Sequence, residues 1–224
     1  MPGKTPNPPV AGSSPAAPAN ISVSTYYSRL APFYDLLFGR MYRGLRRRSL
    51  AGLCLAETDM VVLIGVGTGL DFQLLPRVRL AVGIDPTGAM LAKARTKADS
   101  HSHALVLGDG GRLPLASASA DAAVLHLVLS VASNPRAVFV ETARVVRSGG
   151  KITVCDHLGH AGSVSWARRL ATRLSAILGT RFDGDLAGLI AGLPVRVTSS
   201  ERAWFGCYQV ALLERLPVGL PEGI

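Results

Sequence analysis

Long apolar runs are missing from this chain of 224 residues. No stretch reaches the roughly 18 apolar residues that a membrane-spanning helix needs, and the longest, around Ala122–Ala132, is broken by His126 and Ser130. Cysteine is scarce. Cys54, Cys155 and Cys207 are odd in number and share no metal-ligand spacing, so neither a disulfide framework nor a metal site is expected. Cys54, in an apolar helix, and Cys155, ending an apolar strand, are expected to be buried thiols. The N-terminus lacks a basic segment followed by an apolar core, so no secretory signal is expected and a cytoplasmic setting fits. Acidic residues are few, 15 against 24 Lys and Arg, which leaves a net charge of +9. That excess favours an anionic partner, nucleic acid or an anionic membrane surface; the alternative is an Arg-rich surface serving solubility.

What is present is a globular composition, 48% hydrophobic and 17% charged, with room for one domain and a full core. Residues 1–20 carry six prolines without apolar periodicity and read as a disordered tail. The single domain is expected over 21–224: a helical N-terminal lid (21–56), a core (57–160), and a C-terminal helix and strand pair (161–224). In the lid Tyr26, Leu30, Phe33, Tyr34, Leu37 and Phe38 recur at helical spacing, with Pro32 separating two helices. Arg40, Arg43, Arg46, Arg47 and Arg48 follow within nine residues. With the aromatic residues they suit phosphate-bearing headgroups, and alone they suit a solvated face.

The core is organised around Val61-Val62-Leu63-Ile64-Gly65-Val66-Gly67-Thr68-Gly69-Leu70. It reads as a buried strand entering a glycine-rich turn, where missing side chains let something approach the backbone. A helix should start near Leu70-Asp71, Asp71 capping it, and stop at Pro76. Strands are expected at 80–85, 104–109, 122–128 and 151–156, helices at 87–95 and 135–146, and a turn at Gly149-Gly150. A helix over 164–178 and strands over 195–202 and 207–213 complete the pattern. Alternating strands and helices give an α/β domain with a mostly parallel sheet and an antiparallel edge.

Open sheets of this kind bind ligands beyond the carboxyl ends of their strands. Those ends carry Gly65–Gly69, Asp85, Asp109 and His126. A carboxylate at Asp85 can accept two bonds from a ribose diol. Asp109 can meet an exocyclic amine of a purine, Gly110 can add backbone groups, and Pro86 can lie against the base; singly, each acid also suits a cap or turn. The dinucleotide fingerprint needs a small third position, and residue 70 is leucine.

Val61–Gly69, Gly83-Ile84-Asp85, Leu107–Pro114 and Arg144–Lys151 together resemble the class I S-adenosylmethionine-dependent methyltransferases, over roughly residues 25–215. Tyr34-Asp35-Leu36-Leu37-Phe38-Gly39 before the glycine turn is most similar to the bacterial phospholipid (phosphatidylethanolamine) N-methyltransferases and the ubiquinone/menaquinone C-methyltransferases. The resemblance implies a Rossmann-like methyltransferase fold with a seven-stranded sheet, and S-adenosylmethionine as cofactor. It implies methyl transfer to a lipid or lipophilic small molecule; a soluble metabolite, or a non-catalytic binding module, is the alternative. It assigns Gly65, Gly67 and Gly69 to the methionine and ribose end, Asp85 to the ribose, and Asp109 with Gly110 to the adenine. His126 would lie beside cofactor and acceptor, with Tyr27 and Tyr34 approaching from the lid.

Among the histidines that could act as base, His126, His157 and His160, His126 is the best placed by this pattern. The family usually carries an acid two residues before the first glycine, and here that residue is Leu63. The cofactor's amino group would then need backbone carbonyls, water or Asp71. Both resembling groups act on membrane-associated substrates, so the arginine run points to peripheral membrane contact. Nucleic acid is not the expected partner: Asn134-Pro135-Arg136 is not an Asn/Asp-Pro-Pro-aromatic motif.

Overall fold

The structure is a computed structural model, and it describes residues 35, 39–99, 101–158, 185–204 and 206–217. Tyr27, Tyr34, His160, the proline-rich tail and the 164–178 segment lie outside the described residues.

The element order is α1 (Arg43–Ala51), β1 (Met60–Ile64), β2 (Leu80–Asp85), α2 (Gly88–Arg95), β3 (His103–Leu107), β4 (Ala120–His126), α3 (Pro135–Val145), β5 (Val146–Asp156), α4 (Leu186–Ile190), β6 (Val195–Ala203) and β7 (Tyr208–Arg215). Seven strands form one sheet in the order β3-β2-β1-β4-β5-β7-β6. Strands β1 to β5 pair in parallel, and β7 runs antiparallel to both β5 and β6. The fold is therefore α/β and Rossmann-like. The order reverses between β1 and β4, the switch point at which such sheets open a crevice.

Strand periodicity divides the core. Val62 and Ile64 face α3 and α4, packing with Phe139, Leu125, Ile152 and Leu189. Val61 and Leu63 face the other way, with Leu50, Leu53, Phe72, Leu91 and Val124. Helix α1 lies over this second face and contacts β5 and β7. Asn134 caps α3 by accepting from Ala137 N, and Pro135 takes the first helical position.

Three expectations are corrected. The helix after the glycine turn is only a 3-10 turn, Phe72–Leu74, because Asp71 makes no side-chain cap bond and its carboxylate binds Arg46 and His126 instead. Gly149-Gly150 does not interrupt β5; the strand runs from Val146, and a register shift between Ala120 and Ala122 absorbs the extra residues. Cys54 is exposed, at φ +50° beyond the end of α1, whereas Cys155 is buried.

Candidate active site

The carboxyl edge of the sheet is built on the turn after β1. Gly65 N and Val66 N both donate to Ile84 O of β2, at 2.8 and 3.0 Å. Gly65, Gly67 and Gly69 all have positive φ, between +56° and +78°, where a side chain is strained. Their surroundings differ. A Cβ at Gly65 would stand 2.6 Å from Val128 Cγ2, and one at Gly69 would stand 2.9 Å from Ala94 Cα. At Gly67 only Gly65 O comes as near as 4.0 Å. The outer glycines thus let the chain pack on itself, and Gly67 offers bare backbone to a ligand.

Asp85, buried at the end of β2, accepts from Gly67 N through Oδ2 at 2.9 Å and from Thr87 N through Oδ1 at 2.8 Å. Burial raises its pKa above the ordinary value, the two amides opposing. Each carboxylate oxygen retains acceptor capacity, so a diol can still be bound. Asp109 is exposed beyond β3 and accepts from Gly111 N at 2.9 Å. A Cβ at Gly110 would meet Ile64 Cγ2 at 2.8 Å, so glycine there draws the loop onto the end of β1. Pro86 is exposed beside these groups.

His126, expected beside cofactor and acceptor, has its ring held within the protein. It ends β4 on the face of Ala122 and Val124, beneath α1, and is 4% exposed. Both ring nitrogens are engaged: Nδ1 with Asp71 Oδ1 and Nε2 with Ser49 Oγ, each at 2.9 Å. Ser49 in turn bonds Thr153 Oγ1 at 2.6 Å. Arg46 is 5% exposed and donates to Asp71 Oδ2 at 2.7 Å. Burial alone would push the Asp71 carboxyl up; Arg46 and His126 outweigh it and hold the group well below the carboxylate range. Two corrections follow. Arg46 leaves the exposed arginine patch, because helical spacing turns it with Leu45, Ser49 and Leu50 toward the sheet. Asp71, read as a helix cap, is instead engaged by Arg46 and His126.

Sequence reasoning missed Arg46, Ser49 and Thr153 as a set, since a run of arginines does not announce which one turns inward. It also missed a tie from Asp35. Asp35 accepts from Thr68 Oγ1 and pairs with Lys97 Nζ at 2.8 Å, while Lys97 also donates to Thr68 O at 2.8 Å. Burial raises the Asp35 pKa, and Lys97 and Thr68 lower it further, leaving it below the ordinary value. Asp35 is thereby fastened to the glycine turn.

Across the edge, Asp156 ends β5 fully buried. It accepts from Leu129 N, Ser130 N and His157 N, which hold the loop after β4. Burial raises its pKa. Beyond it stand Tyr42, Trp204, Tyr208 and His157, with Tyr42 and Tyr208 hydroxyls 2.6 Å apart.

Fold and edge define a nucleoside-binding α/β enzyme whose first turn is not a dinucleotide turn. The methyltransferase domain family matches residues 62–154. A phosphatidylethanolamine N-methyltransferase of Cereibacter sphaeroides is 32% identical over 167 residues, 72% of this chain and 81% of the relative. A demethylmenaquinone methyltransferase of Corynebacterium kroppenstedtii is 38% identical over 100 residues, 44% of this chain and 42% of the relative, so the chain spans less than half of that protein. The crystal structure of a SAM-dependent methyltransferase from Thermotoga maritima superposes with a TM-score of 0.64 at 21% identity, covering 85% of this chain and 99% of that one, a likeness of fold. The chain belongs to the class I S-adenosylmethionine-dependent methyltransferases. S-adenosylmethionine is its cofactor, and the open Gly67 backbone with the buried Asp85 carboxylate behind it fits that group.

Proposed function

We propose that the protein transfers a methyl group to a membrane lipid, with the amine of phosphatidylethanolamine as acceptor. The observation carrying this is the similarity to the Cereibacter sphaeroides enzyme, which extends over 72% of this chain, beyond the cofactor core. The surface supports it. Arg40, Arg43, Arg47 and Arg48 are exposed, Met41 is 47% exposed beside them, and Trp204, packed on Tyr42, is 38% exposed. Basic residues with apolar and aromatic neighbours suit an anionic membrane surface. No helix among the described residues is long and apolar enough to cross a membrane, so contact would be peripheral.

S-adenosylmethionine supplies an activated methyl group on a sulfonium, already carrying its leaving group. The chain's work is to align and exclude water. Gly65–Gly69 bring backbone to the methionine and ribose end. Asp85 accepts from the ribose hydroxyls, Asp109 and Gly110 face the adenine, and Pro86 covers it. Tyr27 and Tyr34 are assigned to the lid side. His126 positions rather than reacts in this reading: through Asp71 and Ser49 it fixes α1 against the sheet. A lipophilic quinol is the second reading, favoured by the demethylmenaquinone relative.

The test is methyl transfer from labelled S-adenosylmethionine to vesicles of phosphatidylethanolamine in anionic lipid, with sedimentation alongside. Binding and labelled lipid are expected. Vesicles that neither bind the protein nor become labelled sink the proposal.

A further inference from the structure

His157 follows the last residue of β5, about two strand spacings, or roughly 10 Å, from the end of β1. Its Nε2 is shielded from solvent and has no hydrogen-bond partner among the described residues. Leaving a buried ring nitrogen unpaired is costly, and such a group marks a place where a partner is expected. The ring is held on both sides of its chain. Its backbone N donates to Asp156 Oδ1 at 2.7 Å, and its face stands edge-on to Tyr208 with centroids 5.6 Å apart. Tyr208 packs on Tyr42 and Trp204 at 5.3 and 5.2 Å, and Tyr42 on Trp204 at 5.0 Å. The His157 ring thus borders a cluster of three electron-rich rings through Tyr208, and one of the three, Trp204, is partly open to solvent. Such rings attract organic cations.

We infer that His157 and the Tyr42–Trp204–Tyr208 cluster form the acceptor subsite, which takes an ammonium headgroup, and that His157 Nε2 is the base. The inference rests on the lipid-amine reading above. With its proton on Nδ1, the imidazole offers a lone pair at Nε2. The ammonium donates into it. The acceptor N–H bond breaks, its electron pair stays on nitrogen as the nucleophile, and the proton passes to Nε2 and later to water. No oxidant or metal is needed. His126 cannot do this as placed, because both its nitrogens are bonded within the network under α1. The groups facing His157 are the Asp156 carboxyl on its own strand, the Tyr208 phenol of β7 and the Tyr42 phenol ahead of α1, both phenols pushed up by burial and so neutral. Cys155, likewise pushed up to about 12 by burial, and Arg202, near Leu158 O, complete the surroundings. An ammonium gains from these ring faces a cation–π attraction that a neutral quinol, which can only stack on them, does not.

The test uses the full chain, labelled S-adenosylmethionine and vesicles of phosphatidylethanolamine in anionic lipid. His157→Gln is expected to lower kcat by about a hundredfold or more, with cofactor affinity by calorimetry unchanged within about twofold. His157→Ala is expected to lose as much, and to recover part of it when imidazole is added. Trp204→Leu is expected to raise KM for the lipid roughly two- to tenfold while kcat holds. A His157→Gln enzyme with kcat near that of wild type overturns the subsite and leaves the lipid reading standing. A fall in kcat matched by an equal fall in cofactor affinity, with no rescue by imidazole, also overturns it, as a structural role. Wild-type protein that methylates no aminophospholipid overturns the lipid reading and the subsite together.

Discussion

Asp71→Asn removes one charge from the network under α1 and little volume. Asp71 is 3% exposed and Arg46 5%, so neither can turn to water without moving the helix. Their atoms approach to 2.7 Å, which sets the charge centres at ~4 Å and their attraction at about 4 kcal/mol for an effective dielectric of ~20. The Asn side chain can still accept from Arg46 or His126, but the guanidinium is left charged and buried. Loss of one partner of a buried pair costs about 3–5 kcal/mol, and for a domain of this size that lowers the melting temperature by roughly 6–20 °C. Thermal and urea unfolding read it. Adding Arg46→Met should restore a large part, because the buried charge that has lost Asp71 is then gone. The Asp71 carboxyl titrates below its ordinary 3.8 in the folded chain. Its stabilisation is therefore complete above that value and lost as the pH falls below it, and the Asn variant should lose less stability than wild type in acid. A single substitution costing under about 1 kcal/mol, the range of exposed pairs, would refute a buried charge network.

Other outcomes follow from the same geometry. Gly65→Ala places a Cβ 2.6 Å from Val128 Cγ2 at φ +67° and should destabilise by about 1–3 kcal/mol and weaken cofactor binding in calorimetry. Gly88→Ala, with nothing within 4 Å at the first residue of α2, should be neutral or stabilising. Leu63→Asp restores an acid where the family usually has one, yet Leu63 is packed with Leu50, Leu53 and Val124. It should cost more than about 3 kcal/mol in urea unfolding without tightening the cofactor. Cofactor affinity should fall as the pH drops through the raised pKa of Asp85, because the ribose hydroxyls donate to its charged form; calorimetry at a series of pH values checks this, and Asp85→Asn should show no such dependence.

Strand positions were legible where local pattern and fold agree. β2 occupies 80–85 as read, and the run 61–64, three of its four residues β-branched, lies in β1, an interior strand between β2 and β4. The order of strand ends was enough to collect Gly65–Gly69, Asp85 and Asp109 along one edge, since parallel topology fixes which end is which. What stayed hidden depends on contacts between distant elements. Arg46 reads like its four neighbours until α1 is laid on the sheet. Asp71 reads as a cap until a guanidinium 25 residues earlier claims it. His126 sits where its strand ends, but the two-residue period of β4 turns it under α1, and sequence order alone does not say which face α1 will cover. Gly149-Gly150 carries the signal of a turn, and the pairing of β5 with β4 overrode it.

The most direct measurement incubates the protein with labelled S-adenosylmethionine and a total lipid and metabolite extract, then identifies the labelled product. The expected result is label in an aminophospholipid headgroup, as N-methylated product. Label in a water-soluble metabolite or a quinone, or none while S-adenosylmethionine binds, would contradict it.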